Sequence, residues 1–596
     1  MEIQETPVLI IGGGGAGLSS SILLAELGID SLLVERHPST SLVPKAHIIH
    51  SRSLEIAHQM RIEQEMRDIG CPPENFTHTS FYTSLGGDES WDNKLLHSIP
   101  SWSYGGLEDY YNKITASLMT NTPQHLLEPL FRERAEELNG KDNVRFRNEL
   151  VDFEQDADGV TATIKNLDTD EDYTVRAKYM IGADAGKTVG PKIGAQMVGA
   201  DAWVDVVSLI FDADFSPYLE EDVSLIRLFL QPQPETGQVR RFSIVASGPE
   251  PWDRHCKHWR SGLVMPKGPN GELKDYTEED AVRELRDLFK LPDLEITNVT
   301  MSPWQITSCV IDKWQVGRVF LAGDAAHRHS PMGGLGLNTG MQDAHNLCWK
   351  IAAVLKGEAA PALLDTYETD RKSVAQDRVD FATFSFYNHL SVGGAFGMLP
   401  GAPEEHNRRQ LDRLFADTFD GEVRRAQLEE MLHTLRREFQ HADIDLGYDY
   451  AQSAGFIADG TPAPPHDPVG TQYVQVARPG HRAPHAWFNV GGERLATHHL
   501  IPSGRWVLLA GADGAAWVDA AKAHGAEFGI DLAAYRVAPD GDAVDVDGAW
   551  AELRGHDEGG AVLIRPDGHV VFRALTAPGD ASGDLRRALD TGLCRS

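Results

Sequence analysis

Glycines at positions 12, 14 and 17 follow directly on an apolar run, Val8-Leu9-Ile10-Ile11, an order of residue types that can hold a phosphate. The run suits a parallel strand buried on both faces. Gly12 then allows a tight turn, Gly14 lets backbone approach a pyrophosphate, and Gly17 lets the next helix pack on the strand. That helix is read over Leu18 to Leu27, with Gly15 and Ala16 at its start, where free amides and the helix dipole favour negative charge. A second strand, Ser31 to Val34, leads to Glu35 and Arg36; an acid there can accept hydrogen bonds from a ribose diol. This signature alone does not separate NAD from FAD. A second one makes that choice. Arg318 to Leu321 reads as a short strand ending in Gly323-Asp324, where an Asp can hold ribityl hydroxyls or a diphosphate. Pro331-Met332-Gly333-Gly334-Leu335-Gly336-Leu337-Asn338 then opens a helix read from Thr339 to Leu355. Pro331, Gly334, Gly336, Leu337 and Asn338 are candidate cofactor contacts, because amides at such a start can face the N1–C2=O edge of a flavin. Together the two signatures specify one extended FAD held at both ends.

On these motifs the chain resembles the class A FAD-dependent aromatic hydroxylases, with the p-hydroxybenzoate hydroxylase fold, and within them the phenol and 2,4-dichlorophenol hydroxylase branch. A third segment carries the resemblance, Tyr179-Met180-Ile181-Gly182-Ala183-Asp184-Ala185-Gly186-Lys187-Thr188-Val189-Gly190. The resemblance implies that it contacts FAD, through Asp184, and helps to pass NAD(P)H. Ala185 departs from the Gly usual after that Asp. Glycine takes positive φ without a Cβ penalty, so the local turn is in question, and Gly186 can supply the freedom one position later. The likeness runs from Val8 to Asp380 and continues more loosely to the C-terminus, with Arg478-Pro479-Gly480-His481-Arg482-Ala483-Pro484 at the entry to the last domain.

The implied fold is α/β. Grips this far apart require a discontinuous, Rossmann-like FAD-binding domain, read as residues 1–80, 105–200 and 300–390. A mixed-sheet substrate domain is inserted as 81–104 and 201–299, with strands such as Ser224 to Leu230 roofing the pocket. Glu108 to Met119 and Gln124 to Leu138 read as helices. A helical connector over 391–460 ends in the Pro/Gly-rich stretch Asp459 to Pro465. By resemblance, 461–596 is a thioredoxin-like domain, with strands at Trp506 to Leu509 and Ala561 to Ile564. A Pro566-Asp567-Gly568 turn then leads to Val570-Val571-Phe572. It lacks the C-x-x-C of thiol exchange, so packing or oligomer contacts are its expected work.

The resemblance also implies the chemistry: NAD(P)H, as NADPH or NADH, reduces FAD, and a C4a-hydroperoxyflavin delivers oxygen to a phenolic or hydroxypyridine-type ring. A phenolate is the better nucleophile, so a group taking the phenol proton should help. His47 falls where yeast-type phenol hydroxylases carry an assisting Asp, and a histidine titrates near neutral pH. Its plain alternative is a pocket histidine that only packs or hydrogen-bonds. Lys45 and Gln124 fall beside the flavin by the same resemblance, while Arg52 more readily supports the fold or the phosphates. Arg227 and Tyr218, in the roof, are candidates to meet a phenolate oxygen. His329 can border the flavin ring, His327 reads as buried and satisfied, and Phe381 to Tyr387 reads as core.

Composition sets bounds on this reading. A net charge of −33 argues against nucleic acid and anionic membrane surfaces. Five scattered cysteines fit a reducing cytoplasm and offer no metal site. With no signal peptide and no long apolar run, a soluble cytoplasmic enzyme is expected. Its expected partners are a small aromatic substrate and O₂, and the chain is expected to form a homo-oligomer. A flavin-dependent halogenase is set aside, since no Trp-x-Trp-x-Ile-Pro segment is present. A Baeyer–Villiger or epoxidising monooxygenase of the same fold stays open as the runner-up. So does, from another class, a non-catalytic GTPase-regulator-like binding protein.

Overall fold

The computed structural model describes residues 3–249, 251–265 and 276–595, without the side chains of residues 201 and 202. Its first sheet is built around the apolar run read from sequence. The strand Ile3–Ile11 lies between Ser31–Glu35 and Glu171–Gly182, all parallel, with Val144–Phe146 and Val319–Leu321 parallel outside them. Val8, Leu9 and Ile10 are fully buried, as a strand covered by helices on both faces must be. The helix Gly15–Glu26 crosses over between the first two strands and packs on the long helix Leu335–Leu355.

The second sheet is the mixed roof. Its order is His327–Arg328, Thr297–Ile311, Met197–Asp212, His258–Val264, Gln238–Ala246, Ser224–Gln233, His78–Tyr82 and Leu95–Pro100. The division expected at residue 300 therefore falls inside a strand, and the roof already begins at His78. One long strand, Thr297–Ile311, starts in the roof and runs down to the flavin-type domain, where Ile311 N–H bonds Ala326 C=O.

A four-stranded sheet forms the C-terminal domain, in the order Leu532–Arg536, Trp506–Ala510, Ala561–Ile564, Val570–Ala574. The first pair is parallel and joined by the helix Ala515–Phe528; the others are antiparallel, and Ala581–Gly592 closes the chain. This is the thioredoxin-like arrangement, and its first helix starts after Gly511-Ala512-Asp513-Gly514, with no thiol. The domain is not a bead on a linker. Trp506 and Trp517 share one apolar core with Trp349 and the flavin-type domain, and Trp506 meets Trp349 edge to face at 6.0 Å.

The helix expected over Glu108 to Met119 stops at Tyr111. Thr115 and Ser117 offer competing bonds: Thr115 Oγ1 donates to Glu55 and accepts from Ser117 N–H, which ends helical pairing. Of the aromatic stretch read as core, Phe381 is buried, but Phe384 and Tyr387 are about half exposed. Among the described residues no helix is long and apolar enough to cross a membrane. No cluster among them could hold a metal ion.

Candidate active site

Steric fit explains each glycine of the first signature. Gly12 sits at φ +112°, and a Cβ there would lie 2.3 Å from the Ala183 carbonyl oxygen. A Cβ on Gly17 would lie 1.9 Å from the Gly12 carbonyl oxygen, so the helix approaches the turn backbone on backbone. Gly14 differs: only Glu128 Oε1, at 3.7 Å, comes near its outer side. Space is kept there. The two signatures close on each other at this point. A Cβ on Gly15 would meet Leu337 Cδ1 at 2.2 Å, and one on Gly323, at φ +61°, would meet Ala16 Cβ at 2.9 Å.

The donors suit a dinucleotide. The helices Gly15–Glu26 and Leu335–Leu355 both begin at glycine N-caps, Gly14 and Gly334, with no side-chain cap. Helical pairing leaves their first amides for another acceptor, and the Glu128 carboxylate already reaches the one at Gly15. Glu35 is aimed by Gly13 N–H and His37 N–H, each at 2.7 Å on a different carboxylate oxygen. Asp324 is exposed; its carbonyl accepts from Arg328 Nε at 3.4 Å, and its carboxylate takes no hydrogen bond from the described residues. Arg36 and Lys45 are exposed, and Pro331 and Gly336 lie within the loop 331–338. A free acid, free amides and a glycine-walled cleft fit an extended FAD.

Other predicted contacts are occupied. Asp184 accepts from the amides of Gly186, Thr188 and Val189, at 3.0, 2.6 and 2.9 Å, and so builds its own turn. Ala185 there adopts φ +55° and Gly186 φ +69°, so the alanine takes the left-handed geometry despite its Cβ. Asn338 is fully buried, with its side chain bonded to Ile48 C=O (2.9 Å), Gly334 C=O (2.7 Å) and His50 N–H (2.8 Å). It ties the loop together and leaves only backbone toward the cleft. Gln124 bridges Ala46 N–H (3.3 Å) and Glu128 (2.6 Å). Arg52 serves the fold, pairing with Glu55 at 2.8 Å.

The roof has two faces, and they decide the remaining candidates. Register places Phe81, Leu228, Ser243, Val245 and Arg260 on one face, where Phe81 meets Phe439 and Arg260 donates to the Lys45 carbonyl. Arg227 and Phe229 lie on the other, against Phe289 of the helix Glu278–Phe289. Arg227 therefore faces away from the cleft; it is fully buried and bonded to Glu221 Oε1 at 3.1 Å and Glu221 C=O at 2.8 Å. Tyr218 is 37% exposed, on the loop that carries Glu221. Neither residue meets the cleft. Period-two alternation sorts a strand's residues into two sets but does not say which set faces the ligand.

His47 does border the cleft. Its Nδ1 lies 2.6 Å from Asn121 Oδ1, and since a carbonyl only accepts, Nδ1 carries the hydrogen. Nε2 is then a free acceptor. Burial, and then the Arg260 charge, push His47 down to about 4, so it is neutral at pH 7. His327 is held by Asp343 at 2.7 Å, and Asp343 also takes Arg371 Nε (2.9 Å) and Gly323 N–H (3.1 Å). His329 is buried at both nitrogens without a partner among the described residues, with Nδ1 beside Gly336. Burial and the charges of His327 and Arg378 hold it well below its usual range.

Several residues of the site carried no local signal. Asn121 and Arg260 come from distant segments. The Gly333 peptide is clamped by Glu438 on its N–H (3.3 Å) and His50 on its carbonyl (2.9 Å), and His441 touches His50 at 3.2 Å. Nothing next to Glu438 or His441 in sequence announces that contact.

Residues 5–382 match the family model "FAD binding domain", and residues 476–595 match "Aromatic-ring hydroxylase, C-terminal". A 2,4-dichlorophenol 6-monooxygenase of Delftia acidovorans is 33% identical over 98% of this chain and 98% of its own. A tetracenomycin A2 monooxygenase-dioxygenase of Streptomyces glaucescens is 33% identical over 100% and 98%. The flavin-dependent monooxygenase PieE, solved with FAD and substrate, superposes with a TM-score of 0.89 at 33% identity, covering 99% of each chain. Neither the Baeyer–Villiger or epoxidising reading nor the GTPase-regulator reading is favoured by these relatives. The protein is an enzyme that uses FAD with NAD(P)H as reductant, and it belongs to the family of FAD-dependent aromatic-ring hydroxylases.

Proposed function

We propose that the enzyme hydroxylates a phenolic or hydroxypyridine-type ring lying between the inner face of the roof and the loop 331–338. One observation carries this reading: the two glycine signatures close on each other, and Arg260 of the roof reaches the loop that carries the His47 imidazole, whose Nδ1 is held by Asn121. Bound FAD supplies electron transfer and oxygen activation. The chain's residues do the rest. The uncapped amides at Gly15 and Ala16 receive the diphosphate, Glu35 the ribose and Asp324 the ribityl hydroxyls. Amides from Leu335 to Leu337 face the pyrimidine edge, where charge develops on reduction. The roof excludes water. Asn121 fixes the His47 tautomer so that Nε2 accepts the hydrogen bond of a phenol and is the first acceptor of its proton. Relatives named for dichlorophenol and phenol support a phenolic ring as the substrate class.

The test is kinetic. His47→Ala should slow product formation more than substrate-stimulated flavin reduction, both followed by stopped flow. Unchanged hydroxylation and coupling would reject the proton-accepting role. Asp324→Ala should purify colourless, and full FAD retention would contradict the ribityl assignment.

A further inference from the structure

Arg260 stands on the inner face of the roof, in register with Ile210 and Val245. Its Nη1 donates to the carbonyls of Lys45 and Pro44, the latter at 3.4 Å, on the loop that leads into His47. Nε and Nη2 bond to nothing among the described residues and are not fully sealed from solvent. No carboxylate among those residues pairs with it. Three buried guanidiniums elsewhere are answered by acids, Arg227 by Glu221, Arg371 by Asp343, and Arg565 by Asp370 and Asp567, while Arg378 is held by the neutral oxygens of Thr339, Gln342 and Ile444. A half-desolvated cation facing a cleft without a counter-charge is unfavourable in the empty protein and favours an anionic ligand.

His47 alone does not meet that need. Burial without a partner pushes Arg260 down only to about 10, so it stays charged at neutral pH, whereas His47 lies at about 4. A phenol ordinarily ionises near 10, like a tyrosine, so a proton resting on His47 would be about six units, or a millionfold, out of balance. The phenolate therefore needs a fixed positive charge beside it. An acceptor lone pair next to a cation suits an oxygen that loses its proton, and suits a carboxylate poorly.

We propose that Arg260 is the anion-receiving residue of the substrate cleft, binding the aromatic substrate as its phenolate. This rests on the phenolic-ring reading above. The O–H bond breaks on binding, the electron pair stays on oxygen beside the guanidinium, and the proton leaves by way of His47 Nε2 to bulk water. The protein thereby selects acidic phenols.

The test uses oxidised holoenzyme and 4-nitrophenol, whose ionised form is visible by its own absorption. At a pH below the ligand's own pKa, wild-type protein should hold it as phenolate, with the apparent pKa lowered by about one unit or more, a tenfold effect. Arg260→Met should keep FAD and lose that shift, Arg260→Lys should keep part of it, and His47→Ala should keep most. Neutral ligand bound by wild type overturns the assignment even if the Met variant fails to fold. A shift that survives in Arg260→Met, or vanishes in His47→Ala, does the same. Wild-type protein that takes up neither 4-nitrophenol nor any other phenol overturns instead the phenolic-ring reading beneath it.

Discussion

The phosphate cradle and the joint under the C-terminal domain serve the same cleft and are built from opposite materials. The cradle consists of missing side chains: at Gly12, Gly15 and Gly17 a Cβ would strike backbone or a packed side chain. The joint consists of charges. Glu55 receives Arg52 at 2.8 Å, Arg482 Nε at 3.1 Å and Thr115 at 2.9 Å. Asp370 receives Lys350 at 2.7 Å and Arg565 at 2.6 Å, and Arg565 also holds Asp567 at 2.7 Å. A steric demand is met by one residue type alone. A buried ionic cluster has many solutions, but each is stabilising only when every member is present.

Removing one member of the joint should therefore have the largest effect. Glu55→Ala leaves Arg52 and Arg482 buried without an acid and should cost about 3–5 kcal/mol, read by urea unfolding. A loss below 1 kcal/mol would mean the joint is already hydrated. On the other side of the comparison, Gly17→Ala should cost about 2–3 kcal/mol and lose FAD, because its Cβ meets a backbone oxygen. Tight flavin binding by that variant would contradict the packing account.

Acid should attack the two regions unequally. His50, His345 and His441, lowered by burial to about 3, and His569, lowered by burial to about 4, are neutral when folded. Unfolded, each takes a proton near 6.5, so the unfolded chain binds more protons below that pH. Stability is then full above pH 6.5 and falls as pH drops toward 4, by about 1 kcal/mol per unit and group. These histidines flank the joint and the Gly333 loop, not the phosphate turn. Melting temperatures between pH 7 and 5 should fall, less steeply in His569→Gln; a flat profile would contradict it. The smallest effect is a gain: Ala185→Gly relieves the φ +55° strain and should stabilise by about 1 kcal/mol, seen as a higher melting temperature.

The same contrast governs what could be read from the chain. Val8 to Ile11, the glycines, Glu35 and Gly323-Asp324 act through neighbours in sequence, and their geometry follows from residue type. The strand Ala561–Ile564 and the turn before Val570 follow likewise from an apolar run and a Pro-Asp-Gly turn. Arg260, Asn121 and Glu438 act across long loops, and nothing beside them marks the partner. Arg227 shows the limit most clearly. Its strand was legible, but the side of the roof it faces was set by Phe289, a residue far along the chain. Thr115 shows another, since one side-chain bond to Glu55 ended a helix that periodicity alone would have continued.

Oxygen transfer to a phenolic ring is the central claim, and isotope-labelled turnover tests it most directly. A panel of phenols and hydroxypyridines is screened for stimulated NAD(P)H oxidation under ¹⁸O₂, and each product is weighed. The account requires at least one ring to gain a single oxygen-18 atom. Reductant consumed with hydrogen peroxide as the sole product, for every ring in the panel, would contradict it.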